Sequence, residues 1–393
     1  IAEVSRVGKK EIARNYRFIT RELDMHITPT SPKEYVPSQT PVFFNPVMEL
    51  SRDISVSSLQ SLIDGADDLR VCDALAGVGA RGLRYAKEVD GIEKVIVNDR
   101  SPEATELIRK NIELNDLSSA EMKKEDANLL LDSHPSWFHM IELDPFGSPV
   151  PFLDSSFSSI YRRGIFFVTA TDTAPLCGAY PRACIRKYGS RPLRTPYSRE
   201  LGLRIMIGFL QRRAAARDLA LEPKLSHATQ HYFRVHFRSV EGAKRADKIL
   251  KEQGYVSHCY DCRRRLTSRG MPADLPSECE CGREFEHGGP MWLGDLADKE
   301  HLRDIVEDLS TRNFDLRKKE ERLLRLLRNE AEGPATYYDI HEVSSKASVS
   351  PPKFKRLINR LQDRGHVTLR THFSDTGLRT DAPMEVLMEI VSE

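Results

Sequence analysis

From about residue 55 to residue 170 the chain alternates short apolar runs with amphipathic stretches, and this rhythm restricts the fold more than any other feature. Leu69 to Ala74 reads as a strand, and Arg81 to Glu88 opens a helix. Lys94 to Asn98 is a second strand and Pro102 to Leu114 a second helix; Met140 to Leu143 and Ile165 to Ala170 continue the series. Strands separated by helical crossovers return parallel to one another, and the crossovers cover the sheet. The expectation is an α/β fold, a Rossmann-like parallel sheet with helices on both faces. Beyond it, Glu200 to Leu219 reads as a long helix and Gln230 to Arg238 as an alternating strand.

The first strand runs into Asp73-Ala-Leu-Ala-Gly77-Val-Gly79-Ala-Arg81-Gly82. Glycines at the carboxyl end of a strand let a ligand approach the backbone closely, with the N-terminus of the next helix behind it. Dinucleotide enzymes share such a loop, so two further acids matter. The second strand ends in Asn98-Asp99, where a carboxylate can accept both hydroxyls of a ribose. Glu125-Asp126-Ala127 precedes Leu129 in a loop suited to an adenine. Glycine loop, acid after strand two, acid after strand three and Asp-Pro after strand four form the order of a class I methyltransferase rather than of an oxidoreductase.

Strand four ends in Asp144-Pro145-Phe146-Gly147-Ser148-Pro149. This resembles the Asp/Asn-Pro-Pro-aromatic signature of enzymes that methylate exocyclic amines of bases. An arylamine nitrogen shares its lone pair with the ring and is a poor nucleophile. The Asp144 carboxylate and the Pro145 carbonyl can accept its two N–H bonds and aim the lone pair. With a reference pKa near 3.9, Asp144 does not deprotonate the neutral amine, but it can take the proton once the nitrogen is cationic. Phe146 can stack on the base, a contact worth roughly 1–3 kcal/mol.

Further motifs occur in a fixed order: Pro41-Val-Phe43-Phe44-Asn45-Pro46, Arg52-Asp53, Thr169-Ala-Thr-Asp172-Thr-Ala-Pro-Leu-Cys-Gly178 and Arg370-Thr-His372-Phe-Ser. With the motifs above, they resemble the tRNA (guanine-26-N2)-dimethyltransferase family in its archaeal form, from about residue 40 to the C-terminus. The resemblance implies S-adenosylmethionine as cofactor and guanine N2 in tRNA as target. It also implies that Arg52 and Arg81 hold the methionine carboxylate and that Phe43 lines the pocket. Asp73, Gly77 and Gly79 are further cofactor-binding candidates, Asp99 would bind the ribose, and Asp126 with Ala127 the adenine. Asp144 would be catalytic, with Pro145 and Phe146 beside it.

Four of the seven cysteines fall in Cys259-Tyr-Asp-Cys262 and Cys279-Glu-Cys281. Thiolates on two tight turns can meet at one ion, so a structural tetrahedral zinc is expected, with His258 or His287 as alternative ligands and a disulfide pair as the weaker reading. The remaining cysteines, Cys72, Cys177 and Cys184, are isolated.

The net charge of +1 argues against a nucleic-acid partner until the charges are located. Between Asp172 and Glu200 every charged residue is basic, Arg182, Arg186, Lys187 and Arg191 among them. Lys353 to Arg370 holds one acid, Asp363, among Lys353, Lys355, Arg356, Arg360, Arg364 and Arg370. Such stretches suit phosphate contacts on one face, and His372 lies in the family motif beside Arg370. The expected partner is therefore tRNA, bound by a monomer in the cytoplasm, with no membrane span or secretory leader in the sequence read here. The expected organisation is an N-terminal helix around Glu11 to Leu23 with an extended arm, 1–45, and a catalytic domain, 46–295, carrying the zinc module at 255–290. A C-terminal tRNA-binding domain, 296–393, has a smaller α/β winged-helix-like pattern: a helix at Asp339 to Ala347, a basic helix at Lys353 to Arg364 and a wing strand at His366 to Phe373. Methylation of a DNA amine, or a non-catalytic nucleic-acid-binding protein on the same fold, are the rival readings.

Overall fold

The computed structural model describes residues 16–19, 24–27, 42, 44–63, 65–271, 273–331 and 333–393. In chain order the elements begin with β1 (Tyr16–Ile19), β2 (Asp24–Ile27), α1 (Glu49–Ile63), β3 (Leu69–Asp73), α2 (Ala80–Glu88), β4 (Ile92–Asn98) and α3 (Pro102–Leu114). Next come β5 (Ala120–Lys123), α4 (Ala127–Asp132), β6 (Phe138–Leu143), α5 (Leu153–Ser159), β7 (Ile160–Ala170), α6 (Thr173–Leu176), α7 (Pro181–Tyr188) and α8 (Ser198–Ala215). Then follow β8 (Leu219–Thr229), β9 (Tyr232–Glu241), α9 (Ala243–Lys251), β10 (Gln253–His258), β11 (Arg265–Arg269), β12 (Glu286–Trp292), α10 (Lys299–Thr311) and α11 (Arg317–Glu330). The chain ends with β13 (Tyr338–Asp339), α12 (Ile340–Lys346), α13 (Phe354–Asp363), β14 (Thr368–Arg370), β15 (Gly377–Thr380) and α14 (Met384–Ser392). The main sheet has the order β5-β4-β3-β6-β7-β9-β8.

The chain divides into two compact units. One runs to Pro145 and adds Phe152–Val168 and Arg303–Glu321; the other comprises Phe146–Pro151, Thr169–Leu302 and Arg322–Glu393. These divisions do not follow the boundaries expected near 45 and 295. The reason is that the chain from Arg303 in α10 to Glu321 in α11 belongs to the first unit. Arg312 donates to the Glu88 carbonyl at 2.8 Å, and the Arg84 guanidinium lies over the Phe314 ring.

Strands β3 to β7 of the main sheet are parallel, as the alternation requires. Cys72 of β3 lies opposite Ile96 of β4 and Ile141 of β6, so the carboxyl ends of three strands share one edge. Val71, Val95, Val97 and Met140 are buried between covering helices, among them Leu83 and Tyr85 of α2 and Leu107 and Ile108 of α3. α3 starts at the predicted residue because Ser101 Oγ accepts the Ala104 N–H and Pro102 occupies the first turn. The helix expected over Glu11 to Leu23 is replaced, in its described part, by the antiparallel pair β1–β2, with Tyr16 opposite Ile27 and Phe18 opposite Met25. The alternation of aromatic and aliphatic residues in Tyr16-Arg-Phe18-Ile and Asp24-Met-His-Ile27 favours extended chain over helix. The rest of that helix, and most of the proline-dotted arm, lie outside the described residues.

In the second unit α8 ends at Ala215, four residues before the expected Leu219. Asp218 takes a positive φ of 55° and Leu219 opens β8, a strand the sequence reading missed. β8 pairs antiparallel with β9, and Pro223 sits where their register shifts. Proline is tolerated at such an irregularity, but on paper it breaks the strand pattern. The C-terminal segment has the winged-helix-like content expected. α12 and α13 pack with α14 around Val343, Leu357, Leu361, Leu387 and Ile390, and β14 pairs with β15 as a short wing. No helix among the described residues is long and apolar enough to cross a membrane.

Candidate active site and metal centre

The loop after β3 is held from three sides within the first unit. The Gly82 amide donates to Asp73 Oδ2 at 2.8 Å, and a Cβ on Gly82 would stand 2.9 Å from the Asp73 Cβ, so only glycine lets α2 press on the strand this closely. The Gly77 amide donates to Asp99 Oδ2 at 2.9 Å, while Asp99 Oδ1 accepts from the Ser101 amide at 2.9 Å. Both Asp99 oxygens are thereby oriented, and each keeps a second lone pair for a ribose hydroxyl. Gly79 adopts a φ of 85° as the cap of α2, a conformation costly for any residue with a Cβ. Asp73 itself is buried; burial, followed by the neighbouring Glu142, pushes its carboxyl up to about 8. Expected among the cofactor ligands, it accepts the Gly82 amide and so holds the loop from beneath.

Asn98 was read only as the neighbour of Asp99, yet it joins the loops. Its amide nitrogen donates to the carbonyls of Ala74 and Glu125, and its oxygen accepts the Glu125 N–H at 3.0 Å. The sole sequence signal for this was an amide at a strand's carboxyl end. Asp126 caps α4, accepting from the Asn128 N–H at 2.9 Å, and Ala127 opens that helix. Phe43 lies outside the described residues.

Three arginines are buried together on α1 and α2. Arg84 is paired with Asp53 and Glu88. Arg81 Nε donates to Asp144 Oδ2 at 2.8 Å and lies 3.7 Å from Glu142 Oε1, and its Nη atoms reach Ser51 and Ser55. Arg52 has no carboxylate partner among the described residues; its Nη1 donates to the Asn45 carbonyl, and its guanidinium lies over the Phe44 ring. Burial, then the positive charges of Arg81 and Arg84, push Arg52 down to about 9. Asp53 and Glu49 pull the other way without offsetting this, and a ligand carboxylate at this place lowers the cost of the buried cation. The donor set fits the amino-acid end of S-adenosylmethionine: a buried guanidinium with no ion pair among the described residues, in a cluster with Arg81 and Arg84.

Asp144 follows β6 directly and is half-buried in its pairing with Arg81. In the second unit, Phe146 is 74% exposed. The Gly147 amide donates to Thr171 Oγ1 at 2.7 Å, and the Thr171 amide donates back to the Gly147 carbonyl at 2.9 Å. The Tyr188 hydroxyl donates to Asp172 Oδ1 at 2.6 Å and lies 2.8 Å from Ser148 Oγ. The Thr169-to-Gly178 motif therefore buttresses the Phe146 loop, a role its spacing did not reveal.

The four cysteines converge as expected, with ligand atoms all within 4.8 Å of one another. A zinc–sulfur bond of about 2.3 Å gives a tetrahedron with edges of about 3.8 Å, which the four sulfurs bracket. Cys259 and Cys262 sit on the turn between β10 and β11, Cys279 and Cys281 on the turn before β12, and Phe285 packs against them. In the first turn the Cys259 amide donates to the Arg264 carbonyl, and in the second the Cys279 amide donates to the Arg283 carbonyl. All four are free thiols, not disulfides. His258 and His287 are engaged elsewhere, with the Tyr197 hydroxyl and Ser257 Oγ.

The basic residues divide. Arg182 and Arg186 are exposed and without an ion pair among the described residues, whereas Lys187 is tied to Asp172 and Arg191 to Glu286. At the start of α13, Lys353 and Lys355 are exposed and have no ion pair among the described residues. Arg356, Arg360 and Arg364 instead contact Glu393, and Arg364 also Glu389, so much of this basic helix is neutralised by α14. Arg370 donates to the Asp375 carbonyl and lies over the Phe354 ring. His372 corrects the sequence reading: its side chain is 1% exposed, it pairs with Glu330, and its Nε2 accepts the Ala228 amide. A ring enclosed in this way is structural and does not touch RNA.

Comparison with known proteins gives a consistent result. The family model described as N2,N2-dimethylguanosine tRNA methyltransferase matches residues 20–392. The tRNA (guanine(26)-N(2))-dimethyltransferase of Methanosphaera stadtmanae is 42% identical over 363 residues, covering 91% of this chain and 92% of its own. That of Methanosarcina mazei is 38% identical over 373 residues, covering 92% and 94%. Trm1 from Pyrococcus horikoshii, solved as a complex with S-adenosyl-L-methionine, superposes with a TM-score of 0.86 at 34% identity, over 96% of this chain and 99% of that one.

Proposed function

The chain belongs to the N2,N2-dimethylguanosine tRNA methyltransferase family, and on that premise we propose how its own residues carry out S-adenosylmethionine-dependent methylation of guanine N2 at position 26 of tRNA. When bound, S-adenosylmethionine supplies an electrophilic methyl group. Arg52 and Arg81 receive its carboxylate, Asp99 accepts from its ribose hydroxyls, and Asp126 with the Ala127 amide bracket the adenine. Asp144 and the Pro145 carbonyl accept the two N–H bonds of the guanine amine, which turns the nitrogen lone pair out of conjugation. Asp144 then takes the proton that leaves the methylated nitrogen, and Phe146 stacks on the base. A second round on the same nitrogen gives the dimethylated product. The four cysteines hold a structural zinc.

The observation that carries this reading is the buried Arg52, short of an anion, in the unit where Arg81 holds Asp144. Lys353, Lys355, Arg182 and Arg186, which have no ion pair among the described residues, meet tRNA phosphates, and residues 296–393 form the tRNA-gripping segment. A tRNA substrate suits a cytoplasmic enzyme, and no feature of the reading requires a second copy. The matched relatives favour tRNA over a DNA amine. Nucleoside mass spectrometry of tRNA incubated with protein and labelled S-adenosylmethionine tests it. N2-methylguanosine and N2,N2-dimethylguanosine should appear, and vanish when guanine 26 is replaced by adenine. Label that persists in the substituted tRNA, or enters duplex DNA equally well, contradicts the reading.

A further inference from the structure

An exocyclic amine inside a stacked helix is out of reach of an active site, so the target guanine must leave its stack and expose the faces of its neighbours. Exposed aromatic rings are the usual means of holding such faces, because every base offers a π-surface. Besides Phe146, the second unit presents another. Tyr180, the residue preceding α7, is 64% exposed, and Ile185 on the same helix is 49% exposed. Among the described residues the Tyr180 side chain has no hydrogen-bond, ring or ion partner. Its backbone carbonyl alone is used, accepting from the Ala183 and Cys184 amides.

Three features distinguish this ring from an ordinary surface tyrosine. First, its position is fixed. The Ala179 amide donates to the Ala174 carbonyl at 3.0 Å, and Gly178, at a φ of 88°, lies so close to Leu193 and Arg194 that an added Cβ would stand 3.2 Å from their backbone atoms. Second, it belongs to the same framework as the Phe146 loop. Tyr188, at the far end of α7, bonds both Ser148 and Asp172, and α7 itself is only roughly 12 Å long. Third, although Lys187 is held by Asp172 and Arg191 by Glu286, three further cations of this stretch remain available. Arg182, Arg186 and Arg194 are exposed and lack ion pairs among the described residues, and no acidic residue occurs between Asp172 and Glu200.

We infer that Tyr180 is a second stacking platform, which receives a nucleobase flanking the displaced guanine while Arg182, Arg186 and Arg194 neutralise the adjoining phosphates. The inference rests on the tRNA reading above and names a positioning residue that reading does not contain. The test uses the full chain with tRNA carrying an abasic site at each nucleotide flanking the target in turn. Tyr180→Ala should weaken tRNA binding roughly 5- to 150-fold, the range for one lost base stack, while Tyr180→Phe stays within about twofold of wild type. At one flanking position the abasic substitution should weaken the wild type and leave Tyr180→Ala unchanged. Arg182→Ala with Arg186→Ala should instead reduce the salt dependence of binding, which Tyr180→Ala leaves intact. Unaltered S-adenosylmethionine affinity and zinc content in Tyr180→Ala exclude a folding defect. If the wild type binds and methylates tRNA but Tyr180→Ala binds it equally well, the stacking assignment is wrong and the tRNA reading stands. If the wild type neither binds nor methylates tRNA, the reading beneath it fails.

Discussion

At the scale of single residues, the site is organised by charges placed where a ligand must complete them. Arg52 lacks an acid partner, while its neighbours Arg81 and Arg84 have theirs. Asp99 is the counterpart: the Gly77 and Ser101 amides fix its carboxylate in place. Asp99→Ala should therefore weaken S-adenosylmethionine binding by roughly 1.5–3 kcal/mol, measured by calorimetry, as expected for lost hydrogen bonds to a charged acceptor. Unchanged affinity would mean that the acid after β4 does not meet the cofactor. A different case is Glu320, which the sequence reading passed over as one charge on a charged helix. It is fully buried, and its two oxygens and Asp53 Oδ2 have no donor among the described residues. Burial, then the facing Asp53, push its carboxyl up to about 10, so Glu320 is protonated in the folded chain at neutral pH. A raised folded pKa stabilises below the unfolded value near 4.5, and the benefit is lost as pH rises toward 10. Thermal stability should accordingly fall between pH 5 and pH 9. Glu320→Gln, which mimics the neutral acid, should raise the melting temperature at pH 8 by a few degrees and flatten that slope. A drop of the melting temperature in Glu320→Gln at pH 8 would falsify the assignment of a protonated Glu320.

At the scale of elements, the zinc turns give the cleanest expectation. Cys259→Ser should abolish stoichiometric zinc in elemental analysis and loosen the β10–β11–β12 sheet, and chelation of the wild type should do the same. Metal-free protein with four titratable thiols and undiminished stability would remove zinc from the account. These turns were legible because two short cysteine spacings leave few other solutions. The parallel strands were legible because apolar runs between amphipathic helices admit little else. What escaped were elements decided by distant partners. β8 hides behind Pro223 and an alanine-rich helix end, and only its long pairing with β9 makes it a strand. The β1–β2 pair occupies a stretch whose charges resemble an amphipathic helix. His372 sits beside basic Arg370 in sequence, but it is buried against Glu330, forty-two positions earlier in the chain. Motif and spacing identified Asp99, Asp144 and the cysteines, whose chemistry is local. They did not reveal Asn98 or Tyr188, whose role is to join loops that lie far apart in the sequence.

At the scale of the whole molecule, a net charge of +1 has to serve a polyanionic substrate, and ion pairing determines which cations are available. Lys353→Ala with Lys355→Ala should weaken tRNA binding and lower the slope of affinity against salt by about one unit per contact removed, leaving cofactor affinity unchanged. Arg360→Ala, which breaks a pair with Glu393, should affect stability more than the salt slope. Equal slopes for the lysine variant and wild type would show α13 to be a solvated face. The central claim is that Asp144 both orients the guanine amine and receives its proton, and single-turnover methyl transfer with pre-bound tRNA and S-adenosylmethionine tests it most directly. Asp144→Ala should lose roughly 10²–10⁴-fold in rate while both ligands still bind, the range for a positioned acid or base, and Asp144→Asn should retain partial activity through its remaining acceptor. Transfer by Asp144→Ala at the wild-type rate would contradict the account and reduce Asp144-Pro145-Phe146 to a turn that closes a strand.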